Sequence, residues 1–435
     1  MSRQAQTAVE DEIEDAGAAR NETPSGTERA RPIPRISIQA FCDDQRTAEV
    51  LQYAAEDRRL SKAHVSVHMG GIGAAIAHYV DSPTPNLIIV DSALKGSQLI
   101  HDLDTLAESC DPGTRVIVVG RHNDVLLYRE LLKRGVSEYL VTPVDPLAMM
   151  ESISNLYNNP DTDPVGHVFA FIGAKGGVGS STICHNVAWT LSEVLKSNVT
   201  IADLDMAFGT TGLDFNQDPV QGIAEALASP ERLDDQLLDR LLTKCSEHLS
   251  IFAAPVVLDR DYDISPEACD IVIDVVRQNV PYVAIDLPHC WAPWTKRVLM
   301  QADEVIITAV PDLANLRNAK NIVDLLKTSR KNDGKPHLVL NMSGVPKRQE
   351  ITQKEFEQAL DIKAISVIEY DCEAFSQAAN NGQMIEEMDP KAKAAEKFRE
   401  IAMGMTHRKE MKSEKKSSSA LSSLAPLLEK FKFKR

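Results

Sequence analysis

The run Gly173-Ala174-Lys175-Gly176-Gly177-Val178-Gly179-Ser180-Ser181-Thr182 constrains this chain more than any other stretch. An apolar run, His167-Val-Phe-Ala-Phe-Ile172, precedes it and reads as a buried strand. Ile183 to Leu195 follows with the apolar spacing of a helix. Strand, glycine loop and helix in that order make a cradle for phosphate. The glycines let successive backbone N–H groups turn toward an anion, and the helix N-terminus adds its positive dipole end. A P-loop ordinarily sets a lysine directly before the hydroxyl residue; here that position is Ser180, and the lysine is Lys175 at the start of the loop. Ser181 keeps the hydroxyl that can hold Mg²⁺, and Thr182 can bond a phosphate. A glycine turn with no ligand is the plainer alternative, and the flanking strand and helix argue against it.

At 435 residues the chain has room for two or three domains. It contains no apolar run of about 18 residues, the length a transmembrane helix needs. Residues 1–34 are polar and acidic, without the apolar core of a secretory signal, and read as a disordered leader. The seven cysteines lie far apart with no C-x-x-C pair, which points to a reducing cytoplasm and against a disulfide framework or a cysteine-bound metal. A formal net charge of −16 argues against broad binding to DNA.

Residues 35–158 alternate short apolar runs with helical segments. Candidate strands are Ile36–Phe41, Ala63–His68, Leu87–Asp91, Arg115–Gly120 and Glu138–Val141. Five such βα units predict a small parallel, flavodoxin-like sheet covered on both faces. This stretch resembles a response-regulator receiver domain. Asp43 and Asp44 follow the first strand, where that family gathers acidic Mg²⁺ ligands, and Asp91 takes the phosphoacceptor position. Gly120 stands where the family has Ser or Thr, and Thr142-Pro143 where it has Lys-Pro. The expectation is a degenerate receiver with Asp91 inactive, kept as an interaction surface. The cluster Gly70-Gly71-Ile-Gly73 has no Lys or hydroxyl at phosphate-loop spacing and reads as a turn.

Residues 159–166 have linker composition, and 167–405 form a second α/β domain with a mostly parallel, doubly wound sheet. Val199-Thr-Ile-Ala-Asp203-Leu-Asp205 is a strand ending in two carboxylates one residue apart, which alternation would aim at one ligand beyond the sheet's carboxyl end. Residues 221–244 look helical, Leu249–Ala254 reads as a strand, and a helix is expected over Pro266–Val280. Tyr282-Val-Ala-Ile-Asp286 is an apolar strand ending in a carboxylate suited to Mg²⁺. Further strands are expected at Glu304–Val310, His337–Leu340 and Ala364–Ile368, and helices at Leu313–Thr328 and from Pro390 to Met405. The tail, 406–435, carries nine Lys/Arg against three Glu from His407 onward. Leu421, Leu424, Leu427, Leu428, Phe431 and Phe433 lie among those charges, with Pro426 between them. It reads either as a peripheral membrane or partner helix or as a disordered basic tail.

The lysine at 175 and the Asp203-x-Asp205 pair resemble the deviant Walker A and A′ elements of the ParA/MinD ATPases. The resemblance implies ATP and Mg²⁺ as cofactors. Gly176, Gly177, Val178, Gly179, Ser180, Ser181, Thr182 and Asn341 would bind nucleotide, with Asn341 beside the adenine. Ser181, Asp203 and Asp286 would serve the metal. In the catalytic roles, Asp205 positions water and Lys175 reaches across a homodimer formed on ATP binding. Without a lysine at 180, any hydrolysis is expected to be slow. A loop over 370–385 would contact the base. The loop Lys175-Gly-Gly-Val-Gly-Ser-Ser-Thr182, the stretch Ala378-Ala-Asn-Asn-Gly-Gln-Met-Ile385 and the receiver in front resemble the CpaE/TadZ family of Tad (Flp) pilus assembly proteins. That family implies a cytoplasmic protein at the cell pole, peripheral to the inner membrane through its tail, with the pilus secretion ATPase and other pilus assembly proteins as partners. A partitioning or cell-division positioning ATPase and a nucleotide-independent scaffold are the alternatives.

Overall fold

The computed structural model describes residues 33, 36–111, 113–157, 166–219, 221–255 and 262–406. The expected leader, all but the last residue of the linker, and the basic tail beyond Thr406 lie outside the described residues. The chain divides into two compact units at residues 159/160.

In the first unit, strands β1 (Ser37–Cys42), β2 (His64–Met69), β3 (Leu87–Asp91), β4 (Arg115–Gly120) and β5 (Glu138–Val141) form one sheet in the order β2-β1-β3-β4-β5. Every pairing is parallel. The central β3 is buried along its whole length, because helices cover both faces. Helices α1 (Gln45–Ala55) and α5 (Pro146–Tyr157) pack one side through Leu51, Met149 and Ile153. On the other, α2 (Gly71–Tyr79), α3 (Gly96–Glu108) and α4 (Val125–Lys133) contribute Ile72, Leu103 and Leu131. Three of the five expected strands match to the residue, and the other two shift by one.

The second unit holds β6 (His167–Gly173), β7 (Val199–Asp203), β8 (Thr243–Lys244), β9 (Leu249–Phe252), β10 (Tyr282–Leu287), β11 (Glu304–Ala309), β12 (His337–Ser343) and β13 (Ala364–Glu369). Their order is β13-β12-β11-β6-β10-β7-β9-β8. All pairs are parallel except β8 with β9. The helices are α6 (Ser180–Trp189), α7 (Thr211–Asp214), α8 (Ile223–Ala228), α9 (Asp235–Leu241), α10 (Pro266–Asn279), α11 (Pro293–Gln301), α12 (Leu313–Ser329), α13 (Gln353–Leu360), α14 (Cys372–Asn381), α15 (Ile385–Met388) and α16 (Lys393–Met405). One sheet face packs on α10 to α13 through Val272, Leu299, Val323 and Phe356. The other packs on α6 and α16 through Val187, Phe398 and Ile401. Among the described residues, no helix is long and apolar enough to cross a membrane.

Two expectations are corrected. Residues 221–244 are not one helix: Pro230 and the Asp234 cap divide them into α8, a short turn and α9, and Thr243–Lys244 then turns back as an antiparallel edge strand. Residues 370–385 are mostly not loop. Asp371 caps α14 by accepting from Ala374 N–H, and Gly382 ends it at φ +62°.

The entry to β6 is clamped. A Cβ on Gly166 would lie 1.9 Å from the Val280 carbonyl oxygen, so only glycine fits. Gly166 N–H donates to Arg277 O at 2.6 Å, and Arg277 Nε donates back to Gly166 O at 3.0 Å. The same guanidinium meets the buried Asp303 carboxylate at 2.9 Å.

Candidate functional site

The glycine loop lies at the carboxyl end of β6, between β10 and β11 in the centre of the sheet. This is the crevice where open α/β sheets receive ligands. Gly177 and Gly179 have φ of +78° and +83°, so the chain turns its backbone there as only glycine does readily. Gly179 caps α6 directly.

The loop backbone is braced by four other parts of the domain. Ala174 N–H donates to Thr308 O on β11 at 2.8 Å, and Asn318 Nδ2 on α12 donates to Ala174 O at 2.9 Å. His289, after β10, bonds Gly173 O at 3.1 Å. Asn341 on β12 is buried and its Nδ2 donates to Val178 O at 2.9 Å. Expected beside the adenine, Asn341 here holds the loop itself.

Lys175, Gly176 and Gly177 are exposed, Gly179, Ser180, Ser181 and Thr182 half-buried, and Val178 buried. Asp312 caps α12 near the Lys175 ammonium. Burial raises the Asp312 pKa, but the Asn315 bonds and the Lys175 charge outweigh it and hold the carboxyl below its usual range.

Asp286 ends up inside the protein, 2 % exposed, beside Ser181 of α6. Burial pushes its carboxyl pKa up, and the nearby Asp203 charge adds to that. His185 and the Ser181 hydroxyl oppose the rise. Its Oδ1 has no hydrogen-bond partner among the described residues, and neither does the buried Ser180 Oγ. A carboxyl oxygen left without a partner in the interior is costly unless a proton or a cation completes it. Ser181 and Asp286 therefore fit a hydrated Mg²⁺ at the foot of the phosphate cradle.

Asp203 departs from expectation. The strand β7 ends at Asp203, so strand alternation does not carry on to Asp205. Asp203 is fully buried, and both its oxygens are engaged by protein donors. Thr211 Oγ1 donates to Oδ2 at 2.7 Å, and Asp205 N–H donates to Oδ1 at 3.0 Å. It braces the turn that follows rather than opening toward a ligand with Asp205. Asp205 is half-buried, and its Oδ1 accepts from Phe208 N–H at 3.0 Å.

Sequence reasoning missed His185, Thr211 and Asp214. His185 is wholly buried on α6. Its Nδ1 lies 2.7 Å from Asp214 Oδ2, and its Nε2 lies 3.0 Å from Thr211 Oγ1 and 3.6 Å from Asp286 Oδ2. The Thr211 hydroxyl proton goes to Asp203, so Nε2 must donate to Thr211; the Asp214 carboxylate can only accept, so Nδ1 donates too. Burial lowers the imidazole pKa, but the Asp214 bond and the charges of Asp286, Asp214 and Asp203 raise it above the ordinary value. The available signal was a pair of polar residues, His185-Asn186, among apolar neighbours on a helix.

In the first unit, Asp91 is wholly buried. Asp44 N–H donates to its Oδ2 at 2.8 Å. Burial raises the Asp91 pKa, against the bonds from Asp44 and Thr47 and the charge of Arg121. Gly120 has a physical cause: a Cβ there would lie 2.2 Å from the Tyr139 hydroxyl, which is tied to His122 O at 2.9 Å. Among the described residues no group of three or more His, Cys, Asp or Glu is arranged to hold a metal ion.

No family model matches the chain. It is 26% identical over 252 residues to the septum site-determining protein MinD of Bacillus subtilis, covering 55% of this chain and 88% of that protein. A ParA family ATPase structure from Chlorobium tepidum matches with a TM-score of 0.51 and 26% identity, over 55% of this chain and 98% of that one. The N-terminal region is 48% identical to the structure of a pilus assembly protein CpaE from Caulobacter crescentus. That match covers 30% of this chain and 98% of that one, with a TM-score of 0.29.

Proposed function

The chain belongs to the ParA/MinD ATPase superfamily and carries a CpaE-like N-terminal domain; from that premise we propose that it is a nucleotide-gated dimer that helps assemble a pilus at the cell pole. The observation that carries the nucleotide half is the bare Asp286 Oδ1 beside Ser181 beneath the open glycine loop. The pilus half rests on the 48% identity of the N-terminal region to a pilus assembly protein.

Residues 167–405 act as the nucleotide domain and 35–158 as a receiver-like localisation or self-association domain. The N–H groups of Gly176 to Thr182 cradle the phosphates, and Ser181 and Asp286 hold Mg²⁺. When bound, Mg²⁺ would supply charge neutralisation to the phosphates held by the loop. Lys175, exposed at the loop's outer end, serves the nucleotide of a facing copy, and Asp205 orients water. Asp203 acts through the turn it braces. With Ser180 in the usual lysine position, one cation is missing from the phosphate site, so turnover is slow and the closed state long-lived. The closed dimer presents a surface to the pilus secretion ATPase and other assembly proteins. A DNA-partitioning role fits poorly with a chain of net charge −16.

The test is sedimentation of the full chain with ATP and Mg²⁺, alongside calorimetric nucleotide binding and steady-state hydrolysis. ATP should drive a monomer to a dimer, Lys175→Ala should abolish that dimer or its turnover, and Asp205→Ala should trap it. If the wild type binds no nucleotide, the chain is a nucleotide-independent scaffold.

A further inference from the structure

The buried His185 is used by nothing in the reading above, yet it joins parts of the molecule that belong to different jobs. It lies one turn along α6 from Ser181, on the same helix face. Its Nε2 approaches Asp286 Oδ2 at 3.6 Å, so it shares the carboxylate that Ser181 faces. In the other direction it bonds both ends of α7, at Thr211 and at Asp214.

The segment from Asp205 to the end of α7 carries two large apolar side chains in the open, Phe208 before the helix and Leu213 within it, each 74% exposed. On its far side it rests on Gly382, where a Cβ would lie 2.8 Å from the Leu213 carbonyl oxygen. Thus α7 packs closely at Gly382, and it is held besides by Asp203, through Thr211, and by the His185 imidazole at both of its ends. The imidazole is held in turn by the carboxylate best suited to a cation. Buried polar networks of this kind act as units, because each lost partner leaves a costly unpaired group.

We propose that His185 is a positioning residue that couples the occupancy of the Ser181–Asp286 site to the placement of the 205–214 segment, and so to the presentation of Phe208 and Leu213. The inference rests on the reading that Mg²⁺ and nucleotide bind at that site. Whatever engages Asp286 Oδ1 alters the partner that His185 shares, and α7 is the only element it holds by hydrogen bonds among the described residues. Nucleotide with a γ-phosphate and nucleotide without one then set different positions of the exposed apolar pair.

Hydrogen–deuterium exchange on the full chain tests this. It is read over residues 207–216 with no nucleotide, with Mg-ADP and with Mg-ATPγS, in the wild type, His185→Asn and Asp214→Asn. Wild-type exchange there should differ between the two nucleotides by about tenfold, as for a segment that opens locally. Both variants should bind both nucleotides within about threefold of wild type and lose that difference. A merely structural role would shift all three states alike. Asp214 is 23% exposed and its replacement keeps the side-chain shape, so that variant decides the matter if His185→Asn fails to fold. Variants that retain the nucleotide difference overturn the coupling, as does loss of all nucleotide binding in both. A wild type that binds neither nucleotide overturns the proposed function as well, and calorimetry on the wild type tells that failure apart.

Discussion

Asn341 Nδ2 donates to the Val178 carbonyl across 2.9 Å, so a buried amide on β12 fixes the backbone of a loop that grows from β6, two strands away. Asn341→Asp places an acceptor against that carbonyl. Leaving both groups unpaired should cost about 1–3 kcal/mol of stability. ATPγS affinity should fall by about tenfold or more, since the N–H groups of the loop lose their alignment. Calorimetry and a thermal melt check both, and an unchanged Kd would show that the amide is dispensable.

Gly179 gives a sharper version of the same test. An added Cβ there would lie 2.6 Å from Asn341 Nδ2, at a φ of +83° that alanine rarely adopts. Gly179→Ala should therefore abolish measurable nucleotide binding, with a stability loss of about 1–3 kcal/mol. Wild-type binding by this variant would mean that the loop is not the phosphate cradle.

The first unit should not accept a phosphoryl group. Asp91 is wholly buried, and the room that a hydroxyl at 120 would need is taken by the Tyr139 ring. Incubation with acetyl phosphate and Mg²⁺ should leave the intact mass unchanged. Gly120→Ser should lower the stability of this unit by about 1–3 kcal/mol, because the ring must move. A stable mass gain of one phosphoryl group, lost in Asp91→Asn, would contradict the closed pocket.

The buried charges give a pH signature. The His185 pKa is raised on folding, so its contribution is fully present below the unfolded value of about 6.5 and lost as pH rises through the folded one. Asp203 and Asp286 are raised by burial, so they too favour the protonated folded state. The nucleotide-free protein should therefore lose thermal stability as pH rises from about 4, where the two carboxyls ionise in the unfolded chain, to beyond the ordinary His value of about 6.5, and His185→Gln should flatten the upper part of that slope. A Tm that climbs over this range in the wild type would give the wrong sign.

Much of the fold was legible because its signals are local. Apolar runs ending in Asp91, Asp203 and Asp286 marked strands, and the glycines at 173–179 marked the turn into α6. Chemistry that depends on contacts remote in sequence was not legible. His185 and Asp214 are brought together by α7, an element of four residues with no periodicity to read. Asp203 was paired with Asp205 toward one ligand because alternation was carried past the end of its strand, and Asn341 read as a strand-end residue although β12 continues through it to Ser343. Gly120 read as a missing hydroxyl, and its cause lies in Tyr139 on the next strand.

The clamp at Gly166 bears on how force travels along this chain. Backbone and guanidinium bonds to Arg277, themselves anchored on Asp303, grip the chain before β6 begins. A pull on the chain at Gly166 would load its two bonds to Arg277, and through them α10 and the Asp303 carboxylate, before it stretched β6.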